Sequence, residues 1–288
     1  MLKQRIITAV ILAPAAISAI FFLPMNYFAS LLLAIIAIGG WEWARFMGIT
    51  DTFQRIAYAC LPCALSASLW YLLPITQTWL TPSQLSDEII SLLYLSVVWW
   101  CLAAILMFSY PKSNAFWAKN KFVIALFGCL TLVPTWLAFM LLRTNHYAMD
   151  EFQGAQLLMY LFMLVWSADI GAYFVGKSIG KHKLMANVSP GKTIEGFLGG
   201  VVCAAILTVA VGISLDWSNE YFVKALLVTI LITTISVLGD LTESMFKRQA
   251  GVKDSGSILP GHGGILDRID SLTATAPVFA LCYVLFGW

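Results

Sequence analysis

YFVKALLVTILITTISVLGDLT (residues 221–242) runs directly into ESMFKRQAGVKDSGSILPGHGGILDRID (residues 243–270). Between Lys224 near its start and Asp240 near its end, the first stretch carries only apolar, small or hydroxyl-bearing residues. As a helix rising 1.5 Å per residue it is about 33 Å long, enough to cross a bilayer's hydrocarbon core. Of the chain's 15 acidic residues, five fall between 240 and 270: Asp240, Glu243, Asp254, Asp267 and Asp270. Lys247, Arg248, Lys253 and Arg268 accompany them. A membrane-length helix that empties into dense charge predicts an all-α polytopic integral membrane protein with its chemistry gathered at one face.

Composition agrees. The 288 residues are 60% hydrophobic and 11% charged, against roughly 45–50% and 25% in soluble domains. That leaves too little polar surface for a water-soluble particle of this size. The net charge of +2 is uninformative in itself, and no nucleic-acid partner is expected. The six cysteines lie in apolar runs, where a thiol behaves as a small hydrophobe. Cys60-Leu-Pro-Cys63 has redox-motif spacing but no strand–helix context. Residues 1–5 and the apolar run to Leu23 have the shape of a secretory signal. No polar mature domain follows, so this segment is read as the first membrane helix.

Nine stretches approach spanning length: Ile6–Leu23, Tyr27–Met47, Ala57–Leu73, Ile89–Tyr110, Phe122–Leu142, Gln156–Val175, Ile194–Leu215, Tyr221–Thr242 and Ser271–Gly287. The third and ninth are the weakest. With the N-terminus cytoplasmic and the C-terminus outside, 15 of the 17 basic residues fall inside and only Arg143 and Lys224 outside, the bias of the positive-inside rule. The chain divides into N-terminal membrane helices (1–150, spans one to five) and a catalytic part (151–288, spans six to nine). Cytoplasmic loops 176–193 and 243–270 belong to the second part.

Spacing gives the long loop a geometry. Asp240, Glu243, Ser244 and Lys247 share one face if the eighth helix continues past the membrane, and Asp267 and Asp270, three apart, share another. Pro260-Gly-His-Gly-Gly264 is a turn whose glycines, Gly263 and Gly264 among them, let backbone N–H groups converge on an anion. Converging carboxylates repel unless a cation joins them. Mg²⁺, which pairs one or two carboxylates with substrate phosphates, suits this set. Topology alone calls for basic residues beside a span, but not for four aspartates and a Gly-His-Gly-Gly turn.

Two further features stand out. Asp169 interrupts the sixth span, and an ionisable residue there is a functional candidate by default. Glu42 and Arg45, three apart in the second span, read instead as a structural ion pair. Ser189-Pro-Gly-Lys-Thr193 resembles the end of a P-loop, but Ala186 stands where that motif needs glycine, and no strand precedes it. What survives is a helix start with Lys192 beside it, a setting that attracts phosphate. Lys177, Lys181, His182 and Lys183 upstream suit anionic headgroups or plain topology signalling. His146 and His182 read as ordinary surface residues.

Ser244-x-x-Lys247-Arg248, Lys253-Asp254 and His262-Gly263-Gly264-x-x-Asp267-Arg268-x-Asp270 together resemble the signature of the phosphatidate cytidylyltransferases, or CDP-diacylglycerol synthases. Ser-Ala-Asp169 with Gly171-Ala-Tyr173, Ser189-Pro-Gly-Lys192-Thr193 and Gly239-Asp240 extend the likeness. It covers the C-terminal half firmly and the N-terminal half mainly as a hydrophobic pattern. The resemblance implies transfer of CMP from CTP to phosphatidic acid, with Mg²⁺, at the cytoplasmic face of a bacterial-type inner membrane. It implies Asp240, Asp254, Asp267 and Asp270 as metal ligands. Lys247, Arg248, Lys253, Arg268 and Lys192 would contact phosphates, and Ser189, Thr193, Ser244, Gly263 and Gly264 would help bind substrate. Asp254 and Asp169 also join the catalytic set, with the part played by His262 open. Partners would be CTP, phosphatidic acid and membrane lipids; a second metal ion and a homodimer are left open.

Two other classes compete. A CTP-dependent lipid kinase of the dolichol or phytol type has similar C-terminal motifs but would release CDP and no pyrophosphate. An ion-coupled transporter would use Asp169 and the loop charges as a pathway, yet no internal repeat is present. The Asp-Gly-x-x-Ala-Arg of CDP-alcohol phosphotransferases is absent.

Overall fold

The computed structural model of the protein describes residues 2–286. Gly287, the end of the ninth expected span, lies outside the described residues, as do the side chains of Lys3 and Arg5 counted above. The long helices are α1 (Leu2–Phe22), α2 (Met25–Trp43), α3 (Thr52–Leu72), α4 (Asp87–Phe108), α6 (Lys121–Thr144), α7 (Gln153–Ile179), α8 (Ile194–Ser214), α9 (Asn219–Gln249) and α10 (Leu266–Phe286). A one-turn helix, α5 (Asn114–Trp117), sits between α4 and α6, and a 3₁₀ turn over Ala44–Met47 prolongs α2. Among the described residues, seven are long and apolar enough to cross a membrane: α2 with its 3₁₀ turn, α4 and α6 through α10. The other two are α1 and α3. α3 is as long as α8, but Thr52, Gln54, Arg55, Ser66 and Ser68 dilute its hydrophobicity.

The helices bury polarity and expose hydrocarbon, the inverse of a water-soluble bundle. Phe108, Phe122, Ile206 and Ile213 are exposed, whereas Thr131, Thr208, Thr229 and Thr233 are buried. Without water, each buried hydroxyl needs a partner inside the protein. The Tyr160 hydroxyl on α7 lies 2.9 Å from Thr208 Oγ1 on α8, which lies 2.6 Å from Thr229 Oγ1 on α9. Proline is handled the same way. Pro277 inside α10 has no N–H for the Thr273 carbonyl one turn earlier. The Thr135 hydroxyl of α6 stands 3.2 Å from that carbonyl and 2.7 Å from its own Thr131 carbonyl. α6 and α10 are the most buried of the spans, and α10 packs against α2, α4, α6, α7 and α9.

The charged segments differ from the sequence reading in instructive ways. α9 continues to Gln249, well past Thr242, so Glu243, Ser244, Lys247 and Arg248 belong to a helix and the irregular loop is only 250–265. Pairing at i, i+4 pays for that extension: Ser244 Oγ donates to Asp240 Oδ1 at 3.2 Å, and Lys247 stands 3.3 Å from Glu243. α10 begins at Leu266, placing Asp267 and Asp270 inside the last helix rather than before it.

The expected helix start at Ser189-Pro-Gly-Lys-Thr193 is instead a strand. β2 (Ser189–Thr193) pairs antiparallel with β1 (Lys183–Met185), so the otherwise helical chain carries one small hairpin. Two isolated strands are marginal, and this pair is held from outside. Ile194 N–H donates to the His182 carbonyl at 2.9 Å. Glu195 accepts from the N–H groups of Lys181 and His182 and lies 2.6 Å from His182 Nδ1. The helix itself starts one residue later, with the Thr193 hydroxyl as its cap, accepting from Gly196 N–H at 3.1 Å.

Candidate active site

The crossing of α9 and α10 builds the centre of the site. A Cβ at Gly239 would come within 2.6 Å of the Asp270 carbonyl oxygen, so only glycine lets the two backbones approach this closely. That approach sets Asp240 beside the first turns of α10. Asp270 there interacts electrostatically with Asp240, Lys247 and Lys192. Two ion pairs define the cluster: Lys192 Nζ to Asp240 Oδ2 and Lys247 Nζ to Asp267 Oδ1, each 2.7 Å. The first draws the β2 strand onto α9; the second ties α9 to α10.

Asp267 is the most heavily served carboxylate. Its Oδ2 accepts from the Ser255 N–H at 2.9 Å, the Ser255 hydroxyl at 2.9 Å and the Gly264 N–H at 2.8 Å. The turn preceding it requires Gly263, whose φ of +84° is left-handed and where a Cβ would meet Asp267 Oδ2. The N–H groups expected to converge on a substrate anion are partly engaged at home. Gly264 gives its N–H to Asp267, and His262 gives its own to the Leu259 carbonyl at 2.9 Å.

Two cavities meet at these charges. The larger, about 720 Å³, is bordered at one end by Asp169, Asp240, Lys247, Asp254, His262, Asp267, Arg268 and Asp270. Its other end is hydrocarbon from α1, α2, α6 and α7, including Leu12, Ala16, Ile20, Phe28, Phe139 and Phe162. The smaller, about 350 Å³, lies between α7, α8, α9 and the hairpin and is bordered by Asp169, Tyr173, Lys177, Lys192 and Thr193. Asp169 borders both. His262 borders the larger cavity, and among the described residues its buried Nδ1 has no hydrogen-bond partner.

Other expected site residues sit elsewhere. Arg248 is exposed and donates through Nε to the Val188 carbonyl at 3.2 Å, fastening the hairpin. Lys253 is exposed. These two, with Ser189, Ser244, Gly263 and Gly264, border neither cavity. Ser244 and Gly264 act through the aspartates they bond.

Glu42 and Arg45 do not pair with each other. Arg45 donates to the Ser255 carbonyl at 2.7 Å and the Asp254 carbonyl at 3.3 Å. Glu42, fully buried, accepts from the N–H groups of Ile265 and Leu266 at 3.0 and 2.8 Å. Both therefore grip the 250–265 loop. Their only sequence signal is an acid and a base three apart near a span's end.

Among the described residues, no three His, Cys, Asp or Glu side chains converge as a ready-made metal site. The donor set still fits a divalent ion of the Mg²⁺ type, which takes one or two carboxylates and completes its shell with substrate phosphates and water. Asp240, Asp267 and Asp270 border one cavity, with ammonium groups against the first two.

Comparison with known proteins gives the family. The sequence model described as "Cytidylyltransferase family" matches residues 3–286. A phosphatidate cytidylyltransferase of Haemophilus influenzae is 42% identical over 290 residues, covering 98% of this chain and 99% of that protein. One from Pseudomonas aeruginosa is 44% identical over 288 residues, covering 100% and 99%. A third, from Staphylococcus haemolyticus, is 41% identical over 169 residues, 58% of this chain and 63% of the relative. With the match running almost end to end, this chain belongs to the cytidylyltransferase family.

Proposed function

We propose that the protein transfers CMP from CTP to phosphatidic acid, yielding CDP-diacylglycerol and pyrophosphate. The larger cavity carries the proposal: carboxylates and cations line one end and hydrocarbon the other, the two halves of a lipid phosphate. The smaller cavity, on the Lys192 and Tyr173 side of Asp169, suits the nucleotide. The two substrates then approach the Lys192–Asp240 pair from different sides.

The chemistry needs no general base, because the lipid phosphate is already an anion. A phosphate oxygen attacks the α-phosphorus of CTP, the bond to the β-phosphate oxygen breaks, and pyrophosphate leaves. The barrier is the approach of two anions, so positioning and charge neutralisation dominate. Asp240, Asp267 and Asp270 would hold Mg²⁺, which when bound supplies charge neutralisation at the phosphates. Lys192, Lys247 and Arg268 supply positive charge from the protein, and His262 borders the same cavity as the last two. Asp169 keeps the two substrates apart until the phosphates meet.

We also propose nine spans, counting α1 and α3, with the N-terminus cytoplasmic. The 15-to-2 division of basic residues supports this. The site then faces the cytoplasm of a bacterial inner membrane, where CTP is dissolved and the lipid arrives sideways.

The test is a turnover assay in detergent–lipid micelles with phosphatidic acid, radiolabelled CTP and Mg²⁺, run beside Asp267→Asn. Labelled CDP-diacylglycerol and pyrophosphate from the parent alone are expected. Released CDP with a phosphorylated lipid alcohol, or no CTP turnover with any lipid, would overturn the reading.

A further inference from the structure

Glu42 is the one acidic residue of α2, and its bonds all run to the far end of the chain. Its carboxylate accepts from Ile265 and Leu266 N–H, the first free amides of α10, and lies 3.1 Å from the Ser255 hydroxyl. A carboxylate on exposed helix-start amides satisfies donors that nothing else in an apolar setting would serve. Ser255 is fully buried and faces two ways. Its hydroxyl lies between Glu42 Oε2 and Asp267 Oδ2, at 3.1 and 2.9 Å, while its N–H donates to Asp267. The loop is moulded closely around this acid: a Cβ at Gly264 would collide with the Glu42 carboxylate. Arg45, one turn on, clamps the carbonyls of Asp254 and Ser255. Glu42 borders neither cavity.

We infer that Glu42 is a positioning residue for the reaction: acting through Ser255 and the α10 N-terminus, it fixes the orientation in which Asp267 meets the metal and phosphates. Two links support this. One is rigid, through the backbone of Ile265 and Leu266 into the helical turn that carries Asp267 and Asp270. The other runs through Ser255, whose N–H donates to Asp267 Oδ2 and whose hydroxyl, with one proton to give, lies against both Glu42 Oε2 and Asp267 Oδ2, leaving Oδ1 to Lys247. Partners of this kind behind a ligating carboxylate typically matter about 10–100-fold in metal affinity or activity.

The inference rests on the proposed cytidylyl transfer, and the experiment separates the two. Glu42→Gln and Ser255→Ala are made in the full chain in lipid micelles. Four quantities are read: the Mg²⁺ concentration for half-maximal turnover, kcat against the KM for phosphatidic acid, Mn²⁺ binding by electron paramagnetic resonance without CTP, and amide hydrogen exchange over residues 255–268. Both variants are expected to raise the Mg²⁺ requirement and weaken Mn²⁺ binding about 10-fold. They should lower kcat, leave the KM for phosphatidic acid unchanged and speed exchange over 264–267. A merely structural role would lower thermal stability while the folded fraction kept the parent's Mg²⁺ curve, and that outcome overturns the inference. If Glu42→Gln fails to fold, Ser255→Ala decides alone, since it keeps both bonds from Glu42 to the α10 amides. A parent whose turnover ignores chelation would sink the metal reading of Asp267. The kcat and exchange behaviour of Ser255→Ala would still judge the positioning role.

Discussion

Lys247 on α9 stands 2.7 Å from Asp267 on α10 and 3.3 Å from Glu243 on its own helix, one ammonium serving two carboxylates. Around it, Asp240, Glu243, Asp267 and Asp270 outnumber Lys192 and Lys247. Arg268 borders the same cavity, and carboxylates gathered this closely repel unless a proton or a cation stands among them.

Removing Lys247 should expose that imbalance. Lys247→Met is expected to cost about 3–5 kcal/mol of stability, the usual penalty for stranding a buried partner, and to cut turnover at least ~100-fold. Adding Asp267→Asn should recover much of the thermal stability and none of the activity. Melting curves and CTP turnover on the same preparations read both.

Chelation is the second test. Turnover should vanish in EDTA and return with Mg²⁺, and Asp270→Asn should need more Mg²⁺ than the parent for half-maximal rate. Activity that survives exhaustive chelation would remove the metal from the proposal.

Lys192 and Asp240 form a partly exposed pair, with 27% and 32% of their side chains accessible. Such pairs contribute roughly 0–1 kcal/mol, so Lys192→Gln should barely move the melting temperature. Its KM for CTP should rise about 10-fold, the worth of one charge-assisted contact. A large loss of stability with unchanged KM would make Lys192 a strut instead.

The apolar end of the larger cavity predicts a chain-length effect. Ala16→Trp, which fills part of it, should slow turnover of long-chain phosphatidic acid several-fold more than that of a short-chain form. Equal slowing of both would place the acyl chains elsewhere.

Thr135 borders the larger cavity, but its hydroxyl is turned to the α6 and α10 backbones. Thr135→Val removes the hydroxyl facing the Thr273 carbonyl that Pro277 leaves open, and should cost roughly 0.6–1.5 kcal/mol. Mg²⁺ and CTP dependence should stay unchanged, as melting and turnover curves would report.

Much of this molecule can be read along the chain. The 221–242 run and the charges after it announce a membrane helix and its site, and eight of the expected site residues do border one cavity. What escapes reading is whatever depends on remote partners. Glu42 meets Ser255, Ile265 and Leu266 across 213 to 224 residues, and nothing local distinguishes it from half of an ion pair with Arg45. The hairpin is hidden because Pro190 and Gly191 weaken any strand signal, and its supports, Arg248 and Glu195, lie outside it. Arg248 reads as a phosphate contact by motif, and its bond through Nε to the Val188 carbonyl is visible only in the fold. The extension of α9 past Thr242 is legible as a condition, in the spacing of Asp240, Glu243, Ser244 and Lys247, and the helix does run on to Gln249.

Glu42 and Arg45 also impose an order on biosynthesis. During synthesis α2 reaches the bilayer long before Ser255 leaves the ribosome, carrying a carboxylate and a guanidinium whose eventual partners do not yet exist. The nascent chain must shelter those charges, near the headgroups or in water, until α10 arrives to claim them. The 250–265 loop can therefore be gripped from α2 only once its own residues and the start of α10 have been made.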